Sequence, residues 1–334
     1  MTGVGIVVIG RNEGIRLVRC LESIGSGQKI VYVDSGSSDG SVAVAQANNA
    51  QIVELDLSLP FTAARARNAG RAALPGDCDL IQFIDGDCML QPGWLTAGSA
   101  ALANEPSLAA VFGRRREIRP EASRYNWMCD LEWSISPGTA CYFGGDVMLR
   151  ATALDQAGGY PAEMIAGEEP DLSIRLRALR WRIACLPHEM TLHDAAITRL
   201  EQWWRRSIRS GYAYAELGVR HRGEAGADYR RRLRGVLAWG GVLPLGVLLL
   251  VGVGLAVRSG LFFLGAAALL GLLAVQFCRL SVGALRRHSP FDALTVGAFL
   301  VLTKPAQAMG VMRYWRNRLM KHRGSIIEYK AESA

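Results

Sequence analysis

Apolar and polar residues alternate with strand and helix periods in the first half of the chain. Short apolar runs rich in β-branched residues, each ending in polar or glycine-containing segments, lie at residues 4–9, 29–33, 52–55 and 80–84. Helix-like stretches separate them at residues 14–24, 41–48 and 63–73. Such alternation predicts an α/β domain, with a mostly parallel Rossmann-like sheet flanked by helices.

The second half contains two long uncharged stretches, at residues 236–257 and 259–278. Each is long enough to cross a hydrocarbon core of about 30 Å, and only Arg258 separates them. The alternative is a pair of buried helices in a soluble bundle, but uncharged stretches of this length are rare there. The pattern therefore predicts a transmembrane helical hairpin.

A third apolar stretch, residues 291–312, carries Lys304-Pro305 near its middle. A basic run follows it, made up of Arg313, Arg316, Arg318, Lys321, His322 and Arg323. If this stretch spanned the membrane, those charges would lie outside, against the positive-inside rule. We therefore expect an interfacial or re-entrant helix, with a basic cytoplasmic tail on anionic lipid headgroups.

Basic residues also flank the hairpin on both sides, which predicts a multi-pass protein of the inner (cytoplasmic) membrane with its N-terminal domain in the cytoplasm. The predicted organisation is an α/β domain at residues 1–220, a basic linker at 221–235 and a membrane region at 236–334. The net charge of +8 gathers around the spans, and no zinc-ligand spacing or RNA-binding signature accompanies it. Membrane lipid is thus the expected partner rather than nucleic acid, and self-association is left open. The seven scattered cysteines fit reduced thiols.

Polar clusters follow three of the predicted strands, at residues 11–13, 34–39 and 85–87. In parallel sheets, ligands bind beyond the carboxyl ends of the strands. Asp85-Gly86-Asp87 offers two carboxylates that could hold a divalent cation and, through it, a nucleotide diphosphate. Asp-Gly-Asp is also common in turns, so the triplet alone is a weak signal.

Six sequence blocks taken together are a far more specific signal than the Asp-Gly-Asp triplet alone. They read IGRNEG, VDSGSSDGS, ARARNAG, IDGD, YFGGDVMLR and GEEPDLSIRL, in this order over roughly residues 4–200. In this set and order, the chain resembles family 2 inverting glycosyltransferases of the GT-A fold.

The resemblance implies a Mg²⁺ or Mn²⁺ site. Asp87 corresponds to the direct ligand, and Asp85 to the residue that contacts ribose or metal-bound water. His193 lies where many relatives place a histidine near the pyrophosphate, although a lone histidine is often structural.

The resemblance also implies residues for the nucleotide-diphosphate sugar. Arg11 and Glu13 lie in the first polar cluster. Asp34 would accept from the imide and ribose of a uridine nucleotide or cap its turn, and for Asp39 ordinary turn chemistry is as good an account. The family pattern favours Arg67 over Arg65 for the diphosphate.

Gly145 and Asp146 would lie near the donor sugar, where the glycine would let the backbone approach closely and the aspartate could bond a sugar hydroxyl. A plain β-bulge accounts for the glycine equally well.

The catalytic base is expected within Gly167-Glu168-Glu169-Pro170-Asp171. Relatives usually read Gly-Glu-Asp here with the aspartate as base, so the match falls on Glu169. Because glutamate departs from that pattern, Asp171 stays a second candidate, with helix capping as its alternative role.

A candidate acceptor segment contains Trp203, Trp204 and Arg205. Processive synthases of the family carry Gln-x-x-Arg-Trp in this region, whereas Arg206 occupies the last position here, so processive synthesis is disfavoured. The two tryptophans are equally typical of an interfacial aromatic belt.

The predicted function is a membrane-anchored, metal-dependent, inverting glycosyltransferase. It would move one sugar from a nucleotide-diphosphate sugar, UDP-linked by preference, to a lipid-linked or membrane-proximal glycan acceptor. The alternatives are a polyprenyl-phosphate glycosyltransferase, a processive polysaccharide synthase and a non-catalytic membrane scaffold. No motif in the sequence identifies the donor sugar, the acceptor, the linkage or the metal.

Overall fold

The computed structural model describes residues 3–322, 324 and 327. They form two compact units, one ending at Gln202 and the other extending from Trp203 to His322. Arg323, the end of the predicted basic run, lies outside the described residues, as does most of the tail beyond it.

The first unit is built on a single mixed sheet, which has nine strands among the described residues. The strands are β1 (Gly3–Gly10), β2 (Lys29–Asp34), β3 (Gln51–Glu54), β4 (Cys78–Asp85), β5 (Cys88–Leu90), β6 (Leu108–Glu117), β7 (Gly138–Thr139), β8 (Val147–Arg150) and β9 (Arg182–His193). Their order is β3-β2-β1-β4-β8-β6-β9-β5, with β7 paired to β9.

Pairing is parallel from β3 through β4 and between β6 and β9, whereas β8 is antiparallel to both of its neighbours. The result is the mostly parallel sheet that the sequence pattern predicted.

Helices cover this sheet. They are α1 (Ile15–Ile24), α2 (Ser41–Ala47), α3 (Ala63–Ala73), α4 (Trp94–Asn104), α5 (Arg124–Glu132), α6 (Ala151–Gln156) and α7 (Glu168–Ala178). The central strands are apolar on both faces, and Ile6, Val7, Val8, Ile81 and Phe83 are at most 1% exposed. Burial of both faces explains why these strands read as continuous apolar runs instead of alternating ones.

The second unit is helical. It contains most of α8 (Leu200–Arg220), followed by α9 (Ala227–Val236), a π-helical turn (Leu237–Val242), α10 (Leu243–Val257), α11 (Gly260–Ala284) and α12 (Pro290–Leu319). The turn between α10 and α11 is tight, because Arg258 adopts a left-handed conformation (φ 51°) and Ser259 precedes α11.

Three helical segments among the described residues are long and apolar enough to cross a membrane: Ala227–Val257, Gly260–Ala284 and Pro290–Leu319. The third is one continuous helix with Pro305 inside it. It is also the most buried of the three, since 33% of its most apolar segment is buried, compared with 11% and 6% for the other two. Its predicted position at the interface stays a prediction.

Helix α8 packs against α12 within this unit. A Cβ atom on Gly310 would lie 2.0 Å from the backbone oxygen of Ile208, and one on Gly211 would lie 2.0 Å from that of Gln307. The two backbones approach so closely that only glycine fits at the crossing. Helix α8 therefore belongs to the helical unit, whereas the sequence pattern placed the domain boundary near residue 220.

Candidate active site at the carboxyl ends of the strands

The parallel strands bring the polar clusters to one edge of the sheet. Gly10 at the end of β1 pairs in register with Asp34 at the end of β2, and Ile9 pairs with Asp85 at the end of β4. Residues far apart in sequence thus begin their loops side by side, as expected for a ligand site at this edge.

Asp34 is 3% exposed and already accepts three hydrogen bonds. Its oxygens accept from the Tyr32 hydroxyl at 3.0 Å and from the amides of Gly36 and Ser37 at 2.8 Å each. The structure thus supports the turn-capping alternative, and contact with a nucleotide stays a prediction.

Asp39 ties the first two polar loops together. It accepts from the Gly14 amide at 2.8 Å and from the Ser41 hydroxyl at 2.6 Å, where α2 begins. Arg11 stacks over the Phe61 ring at 4.7 Å, and Glu13 pairs with Arg16 at 3.0 Å. The structure thus gives these residues local partners, and their nucleotide roles stay predictions.

Asp87 and His193, two of the predicted metal ligands, lie next to each other. Strand β5 pairs with β9 so that Cys88 lies opposite His193, which brings Asp87 Oδ2 within 3.3 Å of His193 Nε2. Both side chains are buried, and the ligand atoms of Asp87, Cys88 and His193 all lie within 4.8 Å of one another. Burial raises the pKa of the Cys88 thiol, which suits it poorly as a ligand for a hard cation.

The other imidazole nitrogen contacts a second carboxylate. His193 Nδ1 lies 3.2 Å from Glu117 Oε2, and the Ala195 amide donates to Glu117 Oε1 at 3.0 Å. Burial, followed by repulsion from Arg115, lowers the pKa of His193. A neutral imidazole has one N–H, so one ring nitrogen faces a carboxylate with its lone pair. A divalent cation between Asp87 and Nε2 would stabilise that arrangement, so the residues fit a metal.

Asp85 lies beside this pair, between two arginines. Arg67 Nη2 is 3.0 Å from Asp85 Oδ1, and Arg115 Nη2 is 3.6 Å from Asp85 Oδ2. Asp85 is 28% exposed at its side chain, so it can reach a ligand.

Asp146 has a structural role instead. It is 2% exposed, accepts from the Asp85 amide at 3.0 Å and from the Thr191 hydroxyl at 2.7 Å, and thereby joins the end of β4 to β9. The predicted bond to a sugar hydroxyl does not fit this burial.

Arg67 is the central cation of the cluster. It is 2% exposed, and its Nη1 lies 3.2 Å from both Glu168 Oε1 and Glu169 Oε1. The Tyr160 ring lies 5.3 Å from its guanidinium carbon. With Asp85, three carboxylates already surround Arg67, so the geometry supports a positioning role more than direct contact with the diphosphate. Arg65 instead bonds the carbonyls of Asp56, Leu59 and Pro60.

The three acidic residues at the start of α7 differ in access. Glu168 is 1% exposed and Asp171 is fully buried, with Asp171 Oδ2 2.7 Å from Arg175 Nε. Glu169 keeps 17% of its side chain exposed. Asp171 is therefore corrected from a second candidate base to a buried partner of Arg175, because no acceptor could reach it.

Burial and the neighbouring Glu168 charge raise the pKa of Glu169 to about 7. A carboxyl group with this pKa is suited to accept a proton near neutral pH.

Gly145 lies against this cluster. A Cβ atom there would fall 2.6 Å from Asp85 Oδ2 and 2.8 Å from Arg67 Nη2. A methyl group there would push against the Asp85–Arg67 pair, so glycine lets these two side chains keep their contact. The predicted close approach is thus to these side chains, and approach to a donor sugar stays a prediction.

The predicted acceptor residues lie at the start of α8. Trp203 is 5% exposed and packs edge-to-face on Phe299 of α12 at 5.0 Å, which leaves little of its ring available to stack on a sugar. Trp204 is partly exposed and Arg205 is exposed, so these two keep their predicted role as a hypothesis. Gln202 accepts from the amides of Thr198 and Arg199, a local structural role.

Arg115, Glu117 and Trp133 were missed by the sequence-based prediction. Arg115 lies 4.7 Å from the Trp133 ring, which itself meets His193 edge-to-face at 4.5 Å. A signal was present, since the apolar run of β6 ends in Arg114-Arg115-Arg116-Glu117. A polar run at the end of a strand predicts a position at the ligand-binding edge of the sheet, as it does for the three polar clusters identified from the sequence.

The sheet and the carboxylate cluster define the first unit as a GT-A glycosyltransferase fold. Residues 5–145 match the family model Glycosyl transferase family 2.

Two curated relatives are pre-mycofactocin glycosyltransferases of Mycobacterium tuberculosis strains CDC 1551 / Oshkosh and ATCC 25618 / H37Rv. Each is 28% identical over 235 residues, covering 65% of this chain and 48% of the relative. The chain thus spans about half the length of these curated relatives.

Among solved structures, a mannosyltransferase from Pyrobaculum calidifontis in complex with GDP-Man and Mn²⁺ has a similar fold. The TM-score is 0.59 at 20% identity, covering 92% of this chain and 86% of that one.

Proposed function

We propose that this protein is a membrane-associated inverting glycosyltransferase that transfers a single sugar from a nucleotide-diphosphate sugar, preferably UDP-linked, to a lipid-linked or membrane-proximal glycan acceptor. One observation carries the proposal. Asp85, Asp87, His193 and Glu169 all lie at the carboxyl edge of the sheet, around Arg67 and Arg115.

Asp87, with Asp85 and His193 beside it, would hold Mg²⁺ or Mn²⁺, which would neutralise negative charge on the diphosphate leaving group. The Mn²⁺ in the Pyrobaculum mannosyltransferase complex supports this choice of ion. Arg115 would add positive charge at the same place, because its guanidinium lies within 3.6 Å of both Asp85 and Asp146.

Glu169 would act as the general base. Its carboxylate takes the proton of the acceptor hydroxyl while that oxygen attacks the anomeric carbon of the donor sugar. The bond from the anomeric carbon to the diphosphate oxygen breaks in the same step, and the nucleoside diphosphate leaves with the electron pair. A single displacement of this kind inverts the anomeric configuration.

Arg67 would hold the base in place. Its guanidinium bridges Glu169 and Glu168 on α7 to Asp85 on β4, so the base and the donor-binding carboxylate share one rigid cation.

Membrane association is proposed through α9–α10 and α11, with the flanking arginines on the cytoplasmic side. We place α12 at the interface because it packs along α8. Six of the 21 residues of α8 are charged, so α8 cannot lie in hydrocarbon. Contacts of Trp203 with Phe299, Ser207 with Thr303 and Tyr212 with Tyr314 bind the two helices over several turns.

A donor screen tests the proposal. The full chain in nanodiscs is supplied with UDP-, GDP- and dTDP-sugars and Mg²⁺ or Mn²⁺, and release of nucleoside diphosphate is followed with membrane lipid extract as acceptor. We expect metal-dependent release from one donor, abolished by Asp87→Ala. Asp79→Ala, at an exposed position of β4, the strand that precedes Asp87, is the matched control and should retain activity.

If no donor sugar releases nucleoside diphosphate and calorimetry detects no nucleotide binding, the proposal is contradicted and a non-catalytic scaffold is favoured.

A further inference from the structure

Trp133 contacts two charged or ligating groups of the candidate site at once. The Arg115 guanidinium carbon lies over the Trp133 ring, 4.7 Å from its centroid. The His193 ring meets Trp133 at 4.5 Å, with an angle of 86° between the ring planes. Arg115 and His193 belong to different strands, β6 and β9. One aromatic ring therefore contacts both the cation beside Asp85 and a predicted metal ligand.

The helix that precedes Trp133 is tied to the ends of those two strands. Trp133 directly follows α5. Asp130 on α5 accepts from the amide of Glu117, the last residue of β6, at 2.8 Å. Asn126 on the same helix accepts from the Ile197 amide at 3.0 Å, just beyond the end of β9. The position of the ring is therefore set by the strands that carry Arg115 and His193.

An aromatic ring holds a cation differently from a carboxylate. Arg115 lies 3.6 Å from Asp85 and 3.5 Å from Asp146, so two anions already share its charge. The Trp133 ring is neutral and attracts the guanidinium through its π-electrons, without adding a further negative charge. Arg115 is therefore oriented by the ring while it keeps more positive charge for a phosphate ligand than a third carboxylate would leave.

We infer that Trp133 is a positioning residue, which orients the Arg115 guanidinium and the His193 imidazole for a nucleoside diphosphate bound with its divalent cation. The inference deepens the proposed function and rests on it for the identity of that ligand. The ring acts through these two side chains and makes no bond to the phosphates or to the metal.

The test is calorimetry on the full chain in nanodiscs, titrated separately with UDP and GDP in the presence of Mn²⁺. We expect Trp133→Leu to weaken binding of the preferred nucleotide about tenfold, the effect of losing one partly desolvated cation–π contact. Trp133→Phe keeps an aromatic ring, so it should bind within about threefold of the unmodified protein.

Trp127→Leu is the matched control. Trp127 lies on α5, is partly exposed like Trp133, and has the Arg124 guanidinium over its ring at 5.4 Å. Arg124 is exposed and is not among the residues of the candidate site. Trp127→Leu therefore removes the same kind of contact and should bind the nucleotide like the unmodified protein.

A double-mutant cycle separates positioning from general stabilisation of the fold. Arg115→Gln removes the cation that the ring contacts, so adding Trp133→Leu to it should cost much less nucleotide affinity than Trp133→Leu alone. Thermal unfolding of each variant shows whether a loss reflects misfolding. If Trp133→Leu does not fold, Trp133→Met takes its place, because methionine fills irregular space without a ring.

Unchanged binding in Trp133→Leu, an equal loss in Trp127→Leu, or independent losses from Trp133→Leu and Arg115→Gln would overturn the inference. Absence of nucleotide binding by the unmodified protein would contradict both the inference and the proposed function.

The donor screen separates the two. If no donor turns over but binding of nucleotide with Mn²⁺ still depends on Trp133, the proposed transfer reaction is wrong and the positioning role stands. If donor turnover is normal and nucleotide binding does not depend on Trp133, the proposed function stands and the positioning role is wrong.

Discussion

Glu169 is the acidic side chain at the start of α7 that combines exposure with a contact to Arg67. Replacing it with glutamine keeps the size but removes the proton acceptor, so we expect kcat to fall by about 10²–10⁴-fold while donor binding persists. Steady-state kinetics with a saturating donor measures this. Glu121→Gln, at an exposed position, is the control.

Glu169→Asp should recover part of the activity, because aspartate keeps the carboxylate on a side chain one methylene shorter. If Glu169→Gln leaves turnover unchanged, the acceptor needs no base, and a polyprenyl-phosphate glycosyltransferase becomes the better interpretation.

The raised pKa of Glu169, about 7, predicts a pH dependence. A carboxyl group with a raised pKa is neutral below that value and becomes an active base only above it. We therefore expect kcat to increase from about pH 6 to about pH 8. This increase should be absent in Glu169→Gln. A flat profile over this range in the unmodified protein would contradict the assignment.

Gly145 allows a sharp test of the cluster's geometry. In Gly145→Ala the new methyl group would collide with Asp85 and Arg67, and Arg67 cannot move because it is buried among carboxylates. We expect destabilisation of about 1–3 kcal/mol and weaker donor binding. Gly144→Ala is the matched control, since a Cβ atom there meets nothing within 4 Å. Thermal unfolding and calorimetry with the nucleotide compare the two, and equal behaviour would contradict the predicted collision.

Individual residues also show what could not be predicted from the sequence alone. The sequence blocks located Asp34, Asp146 and Asp171 near the site, but each proved to be a buried acceptor for local donors. A carboxylate that caps a turn and one that binds a ligand occur in the same motif. Only the three-dimensional structure shows which carboxylate oxygens already accept hydrogen bonds from local donors.

At the scale of secondary-structure elements, β6 and β9 carry Glu117 and His193, which lie beside the predicted metal ligand Asp87. Both strands are long, and register shifts interrupt their pairing, yet Glu117 still lies opposite His193. The parallel runs β1 to β4 were predictable because burial of both faces makes them continuous and apolar. The pairing of β6 with β9 joins residues 76 positions apart and leaves no comparable local pattern.

Glu117 is predicted to position His193. Its carboxylate holds Nδ1, which leaves Nε2 facing Asp87, so Glu117→Gln should weaken Mn²⁺ affinity by about 10–100-fold. Calorimetric Mn²⁺ titration in the presence of nucleoside diphosphate measures this without turnover. Glu121→Gln serves again as the control. Unchanged Mn²⁺ affinity would mean that Glu117 only stabilises the fold, through its bond to the Ala195 amide.

At the scale of the whole molecule, composition alone located the apolar hairpin, because hydropathy needs no knowledge of packing. The assignment of α8 was different. Its sequence continues the preceding domain without a break, and only the glycine crossing with α12 shows that it packs with the membrane-associated helices.

The position of α12 follows from that packing and is testable. If α12 lies at the interface, both of its ends face the cytoplasm, whereas a spanning helix has its ends on opposite sides. Single cysteines at Ser289 and Met320, in a protein lacking the exposed Cys141 and Cys278, report this through labelling with a membrane-impermeant maleimide. We expect both positions to react in inside-out vesicles and neither in right-side-out vesicles.

Opposite reactivity of the two positions would show that α12 spans the bilayer. Lys304 would then lie near the middle of the hydrocarbon, at a cost of about 2.5–3.5 kcal/mol on insertion scales. Its backbone oxygen lies at the close crossing with Gly240, near the start of the apolar part of the first span, which argues for the headgroup level instead. The labelling pattern therefore tests both the topology of α12 and the depth of Lys304 in the bilayer.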